Sequence, residues 1–149
     1  MDTQEEQYEK AARAGLIPYI RDDAGTPHYL MMVASNPVYG GPRPMISKGK
    51  IEDGENTFEC AVREAEEELG LVQQNMQSTP FLLADEHVTL RSGAYQLTVY
   101  AVQIYDRWNF DKWCDETEYT AWFSLEEFRE KGRRDHIQYV ERLEAILRS

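Results

Sequence analysis

Glu64, Glu67 and Glu68 stand in the run Arg63-Glu64-Ala65-Glu66-Glu67-Glu68-Leu69-Gly70. If that run is helical, the i, i+3, i+4 spacing gathers the carboxylates on one arc, where each pair repels by about a few tenths of a kcal/mol at a surface. A hard divalent cation, Mg²⁺ or Mn²⁺, removes the repulsion, because both favour carboxylate oxygens and retained water. The plain alternative is a solvated acidic face, the usual fate of a Glu-rich helix. Lys48-Gly49-Lys50 and Gly54 lie just upstream. The two glycines bracket what reads as a tight turn, one that can bring backbone and ammonium groups against phosphate.

The helix that must carry the acids is expected over 57–69. Asn56 is its N-cap, Glu59 completes a capping box, and Gly70 sits where a left-handed C-terminal cap belongs. At about 100° per residue, Phe58, Ala61, Val62, Ala65 and Leu69 form the core face, with the three glutamates on a second arc roughly opposite. Cys60, one turn before Glu64, is either a soft neighbour of a metal or a small packed helix residue, and we read it as the second.

Around that helix the pattern alternates between strands and helices. A short helix is expected over 4–13. Strands are expected over 14–21 (AGLIPYIR), 28–35 (HYLMMVAS), 45–47, 81–90, 96–105 and 122–123, with a proline- and glycine-rich loop over 36–44. Ser124 reads as the N-cap of a helix beginning at Leu125. Ile137, Val140, Leu143 and Leu147 line one face of a terminal helix. This order suits an α/β fold, a mixed sheet covered by helices on both faces. A chain of 149 residues is read as one domain.

The stretch from Gly49 to Leu71, GKIEDGENTFECAVREAEEELGL, resembles the Nudix box of the Nudix hydrolases at every defining position. The resemblance implies the family's α/β/α sandwich. It also implies hydrolysis of a nucleoside diphosphate linked to another moiety by water attack at phosphorus, with Mg²⁺ (Mn²⁺ as a substitute). Carried over residue by residue, Glu64, Glu67, Glu68 and the Gly49 carbonyl would hold metal. Arg63 would orient the carboxylates, Glu55 would support the loop, and Gly70 would close the helix. Lys48 and Lys50 would contact phosphate, or be solvated loop lysines. Members of the family take the water's proton with a carboxylate on this helix, here Glu68, or with a loop Glu six residues before a Trp. Here that loop residue is Glu116, six before Trp122, with Glu118 and Asp115 as near competitors.

The box says little of the leaving group. Tyr39 and Arg43 in NPVYGGPRP could meet a base and a phosphate, or only pack the loop. Trp108 and its neighbours in DRWNFDKWCDETEY could hold a nucleobase, or only anchor that segment. The Pro and Tyr that mark ADP-ribose and diadenosine polyphosphate hydrolases downstream of the box are absent from DEHVTL. The flanks AGLIPYI, NPVYGG and SKGKIEDGE are similar to small phage and bacterial members acting on ADP-ribose, FAD or dinucleoside polyphosphates. The alternatives are an RNA 5′-end or cap pyrophosphohydrolase, suggested by CAVREAEEELG, and a nucleotide-sensing domain without catalysis. Sensing domains usually lack box carboxylates, and none is missing here.

With 16 basic and 27 acidic residues the formal charge is −11. That argues against broad nucleic-acid binding, which needs a basic surface. The first residues, MDTQEEQYEK, carry no apolar run, and no stretch reaches membrane-spanning length. Two cysteines, Cys60 and Cys114, make neither a disulfide framework nor a zinc motif. The expected setting is cytoplasmic, with a small-molecule nucleotide as partner and a homodimer as the oligomer suggested by many relatives.

Overall fold

Strand β1 (Ala12–Arg21) is apolar on both faces, and it lies inside the sheet. Ala14 and Leu16 point to one side, Ile17 and Tyr19 to the other, and each joins a different half of the core. The computed structural model describes residues 12–34, 43–90, 93–105 and 117–149. Around β1 stand β2 (Pro27–Ala34), β3 (Ser47–Lys50), β4 (Phe81–Leu90), β5 (Gly93–Gln103) and β6 (Thr117–Phe123). The order is β4-β5-β1-β2-β6, with β3 paired to β1. The β1–β5 pair is parallel and the others are antiparallel, so the sheet is mixed.

Helix α1 (Thr57–Leu69) covers one face, where Ala61, Ala65 and Leu69 pack with Leu16, Leu30 and Met32. Helices α2 (Leu125–Lys131) and α3 (Ile137–Arg148) cover the other, where Phe128, Tyr139, Val140 and Leu143 meet Ile17, Tyr29 and Leu97. Each fully buried Leu here contributes about 1.5–3 kcal/mol. The expected mixed α/β architecture with helices on both faces is the one observed. Ile137 and Leu147 pack at the margin of the α3 face that Val140 and Leu143 centre.

Several boundaries differ from expectation. Ala12 and Arg13, expected in a short helix, begin β1, because Gln96 and Leu97 of β5 extend the parallel ladder to them. The remainder of that expected helix lies outside the described residues. The strand expected over 45–47 runs instead over Ser47–Lys50, since Gly49 and Lys50 pair with Ala14 and Arg13; Met45 keeps only an isolated bridge to Met32. Gly49 is therefore a strand residue and no corner of a turn, whereas Gly54, at φ +80°, does turn the chain. Strand β6 begins at Thr117, five residues before the Trp122 expected to start it.

Candidate functional site

The site is built where α1 crosses β1 and β3. Asn56 Oδ1 accepts from the Glu59 N–H at 2.7 Å and Glu59 Oε1 accepts from the Asn56 N–H at 3.0 Å, so the capping box forms as expected. Thr57 and Tyr100 share a hydroxyl bond of 2.7 Å, and the Phe58 ring stands edge-on to Tyr100, tying the helix start to β5. Gly70 ends the helix in the left-handed conformation (φ 74°), its N–H on the Glu66 carbonyl at 3.0 Å.

The acids do not lie opposite the core. Helix α1 buries two adjacent rows: Ala61-Ala65-Leu69, and Cys60-Glu64-Glu68. Glu64 is 8% exposed and Glu68 6%, while Glu66 and Glu67 are exposed. The second row lies over β3, and the small residues Ser47 and Gly49 make room for the carboxylates. Ser47 Oγ donates to Glu68 Oε1 at 2.8 Å, deep in the structure. Gly49 lies under the Glu64 carboxylate so closely that a Cβ there would overlap it. The backbone of Gly49 is not in the left-handed region, so glycine is required by space alone. Gly49→Ala is expected to displace Glu64 and to cost about 1–3 kcal/mol, read as a lower denaturant midpoint with unchanged slope. An unaltered midpoint would contradict this contact.

Arg63 ties the loop, strand and helix together. Its Nε and Nη2 meet Glu55 Oε2 and Oε1 at 2.7 and 3.0 Å, a two-point clamp. Nη1 donates to Glu64 Oε1 at 3.0 Å and Glu67 Oε2 at 3.2 Å, and Nη2 also reaches the Lys50 carbonyl at 3.1 Å. The Arg63 hydrogen bond, foremost, lowers the Glu55 carboxyl to about 2. Arg63 is driven further into its charged form, first by Glu55. Glu55 also closes the preceding turn by accepting from the Glu52 N–H at 3.1 Å. Cys60 is wholly buried, its thiol donating to the Gly49 carbonyl at 3.4 Å; burial, foremost, pushes it up to about 12, so it stays a thiol.

Among the described residues no group of three Asp, Glu, His or Cys side chains is gathered closely enough to hold a metal ion. The reason is visible in the contacts. Glu64 and Glu67 converge on one nitrogen of Arg63, and Glu68 turns to Ser47. Arg63 supplies positive charge to Glu64 and Glu67. In kind, the donors fit a hard divalent ion: carboxylate oxygens beside a backbone carbonyl, with the one nearby sulfur kept protonated.

Of the other residues singled out, Lys48 is half-buried and leaves β3 on the face away from Ser47, with its ammonium 5.5 Å from the Tyr95 ring centre. Lys50 and Arg43 are exposed. Tyr39, Trp108, Asp115 and Glu116 lie outside the described residues, as does the side chain of Glu118, whose backbone is in β6. Ser47 was not anticipated. Its only sequence signal was a hydroxyl two residues before Gly49.

The sequence model of the NUDIX domain matches residues 10–143. Among solved structures, the binary complex of the C. elegans Ap4A hydrolase superposes with a TM-score of 0.76 at 17% identity, covering 93% of this chain and 98% of that one. The NUDIX domain of Shewanella oneidensis NrtR complexed with ADP ribose gives 0.77 at 14% identity, covering 98% and 94%. The MutT protein from Methanosarcina mazei Go1 gives 0.66 at 19%, covering 95% and 99%. At these identities the likeness is one of fold. No curated relative matches the sequence significantly.

Proposed function

Since the chain belongs to the NUDIX domain family, whose hydrolases act on pyrophosphate bonds, we propose that it cleaves the diphosphate of a nucleoside diphosphate linked to another moiety, with Mg²⁺ or Mn²⁺. The products are a nucleoside monophosphate and a phosphorylated remainder. The observation that carries this reading is the Arg63 guanidinium drawing Glu55, Glu64 and Glu67 together beside Gly49. ADP-ribose, FAD and dinucleoside polyphosphates form the substrate class. Similar folds in the C. elegans Ap4A hydrolase and in the NrtR domain complexed with ADP ribose support it. We read the chain as a single domain working in the cytoplasm; no described helix is long and apolar enough to cross a membrane.

Glu64, Glu67, Glu68 and the Gly49 carbonyl would hold the divalent ion, which when bound neutralises the diphosphate and lowers the pKa of water. Arg63 orients Glu64 and Glu67 through Nη1, and Glu55 fixes Arg63 by the two-point clamp. Ser47 holds Glu68 by its Oε1. Lys50, exposed at the end of β3, is a phosphate contact. Glu116 takes the water's proton, with Glu68 as the alternative base.

The test is a panel of ADP-ribose, FAD, NADH and diadenosine polyphosphates with Mg²⁺ or Mn²⁺, products read by mass spectrometry. If none yields a nucleoside monophosphate, and nucleoside triphosphates and capped RNA also stay intact, the enzyme reading fails. For the base, Glu116→Gln is expected to lower kcat and flatten the acid limb of the pH–rate profile, while Glu118→Gln leaves both. A strong loss at 118 alone would transfer the role.

A further inference from the structure

Strand β3, Ser47–Lys50, is short and carries no apolar side chain, so nothing within it pins its register against β1. The register matters to the acids. Ser47 and Gly49 face α1, where Ser47 Oγ donates to Glu68 Oε1 at 2.8 Å and Gly49 lies under Glu64. A slip of one residue would turn Lys48 to that face in their place.

What holds the strand is the segment before it. Met45 uses both backbone groups on β2: its N–H donates to the Met32 carbonyl at 2.8 Å, and its carbonyl accepts the Met32 N–H at 3.0 Å. The Pro44 carbonyl and the Ile46 N–H therefore point to the opposite edge. No strand pairs with that edge among the described residues. Two residues of the turn before α3 take the place of one. The Arg133 N–H donates to the Pro44 carbonyl at 2.8 Å, and His136 Nδ1 accepts the Ile46 N–H at 3.1 Å. A backbone N–H only donates, so Nδ1 is unprotonated and serves where a strand carbonyl would. His136 is wholly buried. Its Nε2 has no hydrogen-bond partner among the described residues, and the Asp135 carboxylate stands 3.9 Å away. A leucine would fill this space without burying an unpaired polar atom, so it is the bond to Ile46 that accounts for an imidazole here.

We propose that His136 is a positioning residue for the acidic site. By accepting the Ile46 N–H it fixes the start of β3, and with it the place at which Ser47, the next residue, holds Glu68. It acts from the side of the sheet covered by α2 and α3, where its ring meets Tyr139, and the backbone of β3 carries the effect across. This rests on the reading of Glu68 as a ligand of the divalent ion.

The test is Mn²⁺ affinity without substrate, read from the electron paramagnetic resonance signal of the free ion, beside thermal melts. His136→Leu, which fills the space and cannot accept, is expected to weaken Mn²⁺ binding by about tenfold. His136→Asn should recover most of that loss, because its amide oxygen can stand where Nδ1 does. Ser47→Ala is expected to weaken binding as far, and His136→Leu with Ser47→Ala no further than Ser47→Ala alone. A lowered melting temperature with unchanged Mn²⁺ affinity would make His136 a packing residue only and overturn the proposal. Additive losses in the double variant would overturn the route through Ser47. If His136→Leu does not fold, His136→Gln replaces it, since its oxygen lies one bond too far out; equal affinity in the Asn and Gln variants then overturns the proposal. Wild type that takes up no Mn²⁺ overturns the ligand reading and the proposal together. Wild type that binds Mn²⁺ but cleaves nothing in the substrate panel counts against the hydrolase reading alone, and the same affinities still decide the role of His136.

Discussion

Glu67→Gln is expected to lower kcat by about a thousandfold while leaving the protein folded, because losing a metal ligand removes several kcal/mol of transition-state stabilisation. Glu67 is the cleanest of the three acids to test. Its side chain is 54% exposed, so no packing is lost, and the amide keeps an oxygen for Arg63 Nη1. Glu68→Gln is expected to fall as far in kcat. It is 6% exposed, but its amide oxygen can still accept from Ser47 Oγ, so the melting temperature should hold. The control is Glu66→Gln, one residue away and exposed, which should be close to neutral. Steady-state kinetics beside thermal melts of the variants make the comparison. Equal loss at 66 and 67 would contradict the assignment of faces, and full activity at 67 would remove the proposed ligand set.

Arg63→Ala is expected to strike activity and stability together. Removing the guanidinium leaves Glu55 and Glu64, whose side chains are 14% and 10% exposed, without their shared cation. An unpaired charge at such depth costs about 1–3 kcal/mol or more. Arg63→Lys should rescue little, since an ammonium cannot span Glu55, Glu64, Glu67 and the Lys50 carbonyl at once. The effect should also depend on pH in one direction. Glu55 sits at about 2 in the folded protein, against an ordinary 4.5. Between those values the unfolded chain binds more protons, so stability rises with pH through this window. The contribution is complete above about pH 5 and is lost as pH falls toward 2. Denaturant midpoints of wild type and Arg63→Ala measured across that range should converge at low pH. Parallel curves would show that the Arg63–Glu55 clamp does not supply the difference.

These two experiments probe features of different visibility. The helix that carries the acids was readable, because its signals are local: Asn56 and Glu59 at one end, Gly70 at the other, and an apolar 3.6-residue period between. The strands of the central sheet were readable from their apolar runs. Their ends were not. Ala12, Gly49 and Lys50 become strand only because a partner lies beside them, and pairing across the sheet leaves no mark on a short polar segment.

The acids show the same division. Periodicity placed Glu64, Glu67 and Glu68 near one another, but set them opposite the core. Which row of a helix is buried depends on what it lies against, and here the neighbours are Ser47 and Gly49, small enough to admit two carboxylates. The meeting of two cations at Tyr95 went unseen for a stronger reason. Arg13, Lys48 and Tyr95 are dispersed along the chain, and only the β1–β3 and β1–β5 ladders bring the two cations to one ring.

By itself, then, the order of residues carried the family, through the run from Gly49 to Leu71 that resembles the Nudix box, and the α/β class, through its alternating periods. The tertiary structure alone decided that two of the helix carboxylates are buried, Glu64 against Arg63 and Glu68 against Ser47, and that Arg13 and Lys48 meet at Tyr95 on the far side of β3. The physical reason is range. Capping and amphipathic periodicity act within a few residues, whereas burial and electrostatic environment are set by whichever surfaces the sheet brings into contact.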